Sequence, residues 1–180
     1  MAVIVVGGGG RGAGKTSLIC GLIRALPEIP WIAVKISSHA HGKPIPIWEE
    51  IVAGQETDTA RYLAAGARRA LLVTAGDAEL SAIVQQILEE HPQPGGVIFE
   101  SNSVLNCLRP DLCLCCATSP WGGQKPSYSL SEQRMDASVG LGGHDHVIPG
   151  EKLHFHLVSL ERISPPMLAW LRERLEGTAA

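Results

Sequence analysis

The sequence predicts an α/β fold in which a mainly parallel central sheet is flanked by helices. Short β-branched runs alternate along the chain with segments of helical periodicity, an order that is typical of parallel sheets. A glycine-rich turn lies between the first predicted strand and the first predicted helix. The length of 180 residues and the absence of an internal repeat or long linker favour one domain spanning residues 1–180.

Each element follows from local patterns. The first strand is predicted at 3–6, a β-branched run, and the first helix at 15–26, where apolar residues recur at helical spacing and two prolines follow. Further strands are predicted at 31–36, 70–74, 96–100, 111–117 and 153–158, and further helices at 57–67, 78–91 and 165–175. Residues 119–150 are rich in Gly, Pro, Ser and His, and we interpret them as a lid or a base- or substrate-binding loop region that includes a short strand or helix.

Composition and charge exclude several classes of function. Fifteen basic against eighteen acidic residues give a net charge of -3, so the chain lacks the basic excess of a nucleic-acid-binding protein. No apolar run approaches the roughly 20 residues of a membrane span. The first residues lack the basic region of a signal peptide, and the five cysteines fit a reduced compartment. We therefore expect a cytoplasmic protein without nucleic-acid or membrane partners.

The strongest motif is G-x-x-x-x-G-K-[ST], between the first strand and the first helix. Its glycines let backbone amides surround a phosphate, a lysine can bridge the β- and γ-phosphates, and a hydroxyl can ligate Mg²⁺. The motif predicts a P-loop NTPase three-layer sandwich that binds a purine nucleoside triphosphate, GTP or ATP, with Mg²⁺. The predicted nucleotide contacts are Gly9, Gly10, Arg11, Gly12, Ala13, Gly14, Lys15, Thr16 and Ser17. For Arg11, a phosphate contact and a solvated side chain are equal alternatives.

Carboxylates elsewhere complete the predicted site. Glu100 ends an apolar strand, where P-loop proteins place a metal-binding carboxylate, so Thr16 and Glu100 are the predicted Mg²⁺ ligands. Glu100 can alternatively act as a base or be a solvated strand-end charge. Asp58 and Arg61 share one face of a helix start and can position a water or a phosphate, or can simply be a cap and a surface arginine. The predicted catalytic set is Lys15, Asp58, Arg61 and Glu100.

The chain also resembles a known family, the molybdopterin-guanine dinucleotide biosynthesis protein B (MobB) family. The resemblance covers roughly residues 1–105 and, more loosely, 125–127. It is carried by the P-loop, by the Val34-Lys35 strand end followed by His41, and by D-T-x-R-x-x-x-A-G-A, which begins at Asp58.

This resemblance implies a P-loop fold that binds a guanine nucleotide with Mg²⁺, often as a homodimer, beside an enzyme that attaches GMP to the molybdenum cofactor. It implies that Asp58 and Arg61 lie near the γ-phosphate or the substrate and that Glu100 occupies the Walker B position. The chain departs from the family after Lys35, after Glu100 and before Asp58, which leaves a different substrate as an alternative.

Two weaker groups of residues have other readings. The four cysteines between 107 and 116 suggest a metal site, but Cys115 and Cys116 are adjacent on a strand and must point to opposite faces, so buried apolar cysteines are the alternative. His39 and His41 follow the second strand and can contact substrate or metal, or be solvated.

The residues are compatible with three kinds of protein: a nucleotide-hydrolysing accessory protein, a small-molecule kinase and a nucleotide-binding adaptor without useful turnover.

Overall fold

The structure is a computed structural model that describes residues 1–10, 12–37, 46–90, 95–116, 127–141, 144–148 and 152–176. Within these ranges the strands are β1 (Ala2–Gly8), β2 (Trp31–Ser37), β3 (Ile47–Glu50), β4 (Arg69–Thr74), β5 (Gly96–Glu100), β6 (Leu112–Cys116), β7 (Ala137–Leu141), β8 (His146–Ile148), β9 (Lys152–Ser159) and β10 (Arg162–Ile163). The helices are α1 (Lys15–Ala25), α2 (Asp58–Ala65), α3 (Asp77–Glu89), α4 (Tyr128–Arg134) and α5 (Pro165–Glu176), with a 3₁₀ helix at Ser103–Asn106.

The strands form one sheet in the order β10-β9-β7-β6-β1-β5-β2-β4-β3, and β8 pairs with β9. Strand β1 lies at the centre and pairs in parallel with β5 and β6, and β2 pairs in parallel with β5 and β4. Only β3, β8 and β10 run antiparallel to their neighbours within the described residues. The carboxyl ends of β1, β2 and β5 therefore meet at one edge of the sheet, where open α/β sheets bind ligands.

Two apolar layers cover the sheet, which confirms the predicted three-layer sandwich. On one face, β1 contributes Ile4 and Val6 to a core shared with α1, α2 and α5. On the other face, Val5 and Phe99 pack with α3 and the 3₁₀ helix. This alternation along β1 is the consequence of burying a central strand on both faces.

Helix α2 (Asp58–Ala65) lies within the range 57–67 in which the sequence predicts a helix. The Thr57 hydroxyl accepts a hydrogen bond from the Ala60 amide at 3.0 Å and caps the helix, and Gly66 closes it with a φ of +108°. A non-glycine residue would be strained in that left-handed conformation. These two caps fix the helix start from which Asp58 and Arg61 project.

Some elements were not predicted. Strand β3 follows Pro46 and is short and polar, and β10 has two residues, so neither carries a strand pattern. The segment 119–150 contributes α4, β7 and β8 where it is described, so part of it belongs to the sandwich. Its lid role stays a prediction, and Arg11, His39, His41 and residues 117–126 lie outside the described residues.

No helix in the described ranges combines the length and apolarity that crossing a membrane requires.

We expect Gly96→Ala to destabilise the sheet by about 1–3 kcal/mol through overpacking. A Cβ at Gly96 would lie 2.2 Å from Cζ3 of Trp31, whose buried indole is fixed by a 3.0 Å hydrogen bond to the Leu26 carbonyl. Urea unfolding measures the loss. Val52→Ala, at an exposed position, is the control and should change the free energy of unfolding by less than about 0.5 kcal/mol.

Candidate functional site

A tight turn connects the centre of the sheet to α1. Gly12 and Gly14 adopt φ values of +75° and +89°, and Gly14 is the N-cap of α1. Side chains with a Cβ rarely adopt these values, so the turn requires glycine at both positions. The Lys15 ammonium folds back over the turn and donates to the Gly10 carbonyl at 2.7 Å. The result is a helix N-terminus with an adjacent lysine, an arrangement suited to binding an anion.

Asn102 holds the start of this turn. Its Oδ1 accepts from the Gly8 amide at 2.9 Å, and its Nδ2 donates to the Gly8 carbonyl at 3.0 Å. Both backbone groups of Gly8 are thus satisfied by one side chain from the segment after β5. Asn102 therefore fixes the turn relative to the sheet.

The Glu100 carboxylate lies beneath the turn and is 6% exposed. Its Oε2 accepts from the Thr16 hydroxyl at 3.0 Å and from the Tyr62 hydroxyl, and its Oε1 accepts from the Lys35 ammonium at 3.2 Å. Residues from α1, α2 and β2 thus converge on one carboxylate. Burial and the nearby Glu100 charge hold the pKa of the Tyr62 hydroxyl well above its usual range, so it stays protonated and donates.

Lys35 also pairs with Asp58 at the start of α2. Burial opposes ionisation of Asp58, but the hydrogen bond and charge of Lys35 outweigh it, with further help from Thr16, and the pKa of Asp58 lies below its usual value. Burial likewise opposes the charged form of Lys35, but Glu100 and Asp58 raise its pKa. One ammonium therefore stabilises two carboxylates at the ligand-binding edge of the sheet.

Arg61 extends this polar group along α1. Its Nη2 donates to the Ser17 hydroxyl at 3.2 Å and to the Glu161 carboxylate at 2.6 Å, and its Nη1 lies 4.0 Å from Asp58. Of the two consecutive hydroxyls in the first turn of α1, Thr16 thus donates to Glu100 and Ser17 accepts from Arg61.

The structure brings most of the predicted site residues to one edge of the sheet, namely Gly9, Gly10, Gly12, Ala13, Gly14, Lys15, Thr16, Ser17, Asp58, Arg61 and Glu100. Their roles stay predictions. Sequence reasoning assigned no site role to Lys35, Tyr62 or Glu161. A lysine near the end of an apolar strand is the signal that could have indicated Lys35, because a charge there needs a partner. Nothing in the local sequence indicates Tyr62 or Glu161.

The cysteines are separated as the strand register requires. Cys113 faces the core beside α3, and Cys116 faces the opposite core beside α1. Both thiols are free and buried, and burial raises the pKa of Cys113 to about 12, which keeps it protonated. Within the described part of the chain, no three His, Cys, Asp or Glu side chains are arranged to hold a metal ion.

Comparison with known proteins supports the fold. No protein-family model and no curated protein matches the chain. Among solved structures, the chain is similar to LpxK from Aquifex aeolicus, crystallised in complex with ATP, with a TM-score of 0.54 and 17% sequence identity. The similarity covers 87% of this chain and 53% of LpxK, so the chain spans about half the length of that protein. Together with the glycine turn and Lys15, this similarity shows that the chain has the P-loop NTPase fold. It does not identify the chain as a member of the MobB family.

We expect Lys35→Met to lower the free energy of unfolding at pH 7 by about 2 kcal/mol, because it leaves two partly buried carboxylates without their shared cation. The pairing lowers the pKa of Asp58, so its contribution is present above the unfolded-state value and is lost as the pH falls through the folded-state value. Urea unfolding from pH 3 to pH 8 should therefore show wild type and variant converging in acid. A difference independent of pH would contradict this assignment.

Proposed function

We propose that the chain binds a purine nucleoside triphosphate with Mg²⁺ at the turn before α1 and transfers the γ-phosphoryl group. The observation that carries this proposal is the 3.0 Å hydrogen bond between the Thr16 hydroxyl and the buried Glu100 carboxylate, directly behind Lys15. A hydroxyl at a helix start beside a strand-end carboxylate is the arrangement that P-loop proteins use for phosphates and metal. The ATP bound in the LpxK crystal structure supports a nucleotide ligand.

The phosphates would be held by local groups rather than by overall charge. The N-terminus of α1 and the amides of the turn provide partial positive charge, and Lys15 adds a full one within reach of the turn carbonyl at Gly10. These groups are positioned before any ligand arrives, so they stabilise developing negative charge with little reorganisation.

The donor set fits magnesium. Mg²⁺ prefers hydroxyl and carboxylate oxygens and commonly uses one or two carboxylates beside substrate phosphates. Thr16 and Glu100 supply such oxygens at hydrogen-bonding distance from each other, and the Asp58 carboxylate shares the Lys35 ammonium with Glu100. When bound, the ion would neutralise charge on the phosphate oxygens. Lys35 pairs with both carboxylates and lowers the pKa of Asp58, which favours the ionised form that a metal ion requires.

The acceptor of the phosphoryl group is either water or a hydroxyl group of a metabolite. With water as the acceptor, the chain is a hydrolase, and the MobB resemblance then suggests GTP and an accessory role toward a molybdenum-cofactor enzyme. With a metabolite hydroxyl, it is a small-molecule kinase. Asp58 fits both candidates, because its carboxylate is 31% exposed and can orient either an attacking water or an attacking hydroxyl.

We expect Lys15→Ala to weaken triphosphate binding by about 10- to 100-fold, the loss of one charge-assisted contact. Titration calorimetry with ATP and with GTP, each with and without Mg²⁺, measures the change and identifies the base. The matched control is Lys152→Ala, which removes a lysine at the start of β9, at the opposite edge of the sheet. Equal affinities of wild type and Lys15→Ala would overturn the proposal.

Turnover assays on the wild-type protein distinguish the candidate reactions. Release of inorganic phosphate without added metabolite supports hydrolysis, and molybdopterin should then alter its rate if the accessory role holds. Transfer of label from the γ-phosphate to a member of a metabolite panel supports the kinase. Binding without turnover under single-turnover conditions supports the adaptor and contradicts both reactions.

A further inference from the structure

Glu161 lies in the turn between β9 and β10, 100 residues from Arg61 in the sequence, yet its side chain reaches the first helix of the fold. Its Oε1 accepts from Arg61 at 2.6 Å, and its Oε2 pairs with Arg24 of α1. The carboxylate is 17% exposed, so a charge there requires its partners. Each of its two oxygens thus contacts one guanidinium.

The turn is shaped to deliver this side chain. Glu161 has a φ of +66°, which is uncommon for a residue with a Cβ. The turn rests against Gly21 of α1, where an added Cβ would come within 3.2 Å of the Glu161 carbonyl. A glycine on α1 therefore permits the close approach, and the packing sustains the unusual backbone.

Arg61 has two further polar neighbours, and both belong to the predicted site. Its guanidinium donates to the Ser17 hydroxyl at 3.2 Å and lies 4.0 Å from Asp58. A hydroxyl alone would hold a long, charged side chain weakly, because ordering it costs up to about 2 kcal/mol. The charge-assisted contact with Glu161 is the stronger of its hydrogen bonds and restricts the guanidinium to the first turn of α1.

We propose that Glu161 is a positioning residue that holds Arg61 beside Ser17 and Asp58, so that Arg61 favours a bound triphosphate over a diphosphate. This inference rests on the proposed function. It assigns to the nucleotide site the β9–β10 turn, which belongs to strands that lie on the other side of β1 from β2 in the strand order. Glu161 itself, being anionic and turned toward two arginines, makes no contact with phosphate.

The test measures dissociation constants for a non-hydrolysable triphosphate and for the diphosphate of the base that wild type prefers. Arg61→Ala and Glu161→Ala should each reduce the preference for the triphosphate by about tenfold, a loss of one charge-assisted contact. The double variant should reduce it no further than either single change, because Glu161 acts only through Arg61. Glu161→Gln, which retains the shape and one acceptor oxygen, should fall between wild type and Glu161→Ala.

Arg24→Ala is the matched control. It removes the other cation from Glu161 and leaves the contact with Arg61, so the preference should stay within twofold of wild type. An unchanged preference in Arg61→Ala or Glu161→Ala, or additive losses in the double variant, would overturn the inference even if Lys15→Ala weakened triphosphate binding as expected. Failure of wild type to bind either nucleotide would instead overturn the proposed function. Thermal unfolding confirms that each variant is folded.

Discussion

The placement of the site depends on how the buried charge of Glu100 is satisfied. Removing a carboxylate from water costs several kcal/mol unless hydrogen bonds and an opposite charge replace the solvent. Thr16, Lys35 and Tyr62 provide that replacement, and they come from α1, β2 and α2. The requirement to satisfy one charge thus fixes the relative positions of three elements. Fixing α1, β2 and α2 in turn positions the glycine turn, Lys15 and Asp58.

The same arrangement makes the proposed triphosphate site compatible with a net charge of -3 on the chain. Asp58 and Glu100 are neutralised in part by Lys35, which lies between them. Lys15 contacts only a backbone carbonyl among the hydrogen bonds described and keeps its charge for a ligand. The local field at the helix start, rather than the sum over the chain, decides which ligand is attracted.

The sequence predicts what short-range patterns encode. Apolar periodicity located most of the strands and helices, including α2, and the glycine spacing identified the turn before α1. It does not predict contacts that arise only when distant segments meet. Tyr62 resembles any core residue of an amphipathic helix until β5 places Glu100 opposite its hydroxyl. Strand β10 is too short to carry a pattern, so the turn that precedes it was not predicted.

Helix α1 connects the two groups of charges. In its first turn, Thr16 contacts Glu100, and Ser17 contacts Arg61. One turn later, Gly21 packs against the backbone of Glu161. A ligand that draws Thr16 away from Glu100 would therefore have to act on the packing of α1 as a whole, since the helix is buried along most of its length. If the proposed nucleotide binds there, its binding and the docking of the β9–β10 turn are thermodynamically coupled through α1, with the same coupling free energy in both directions.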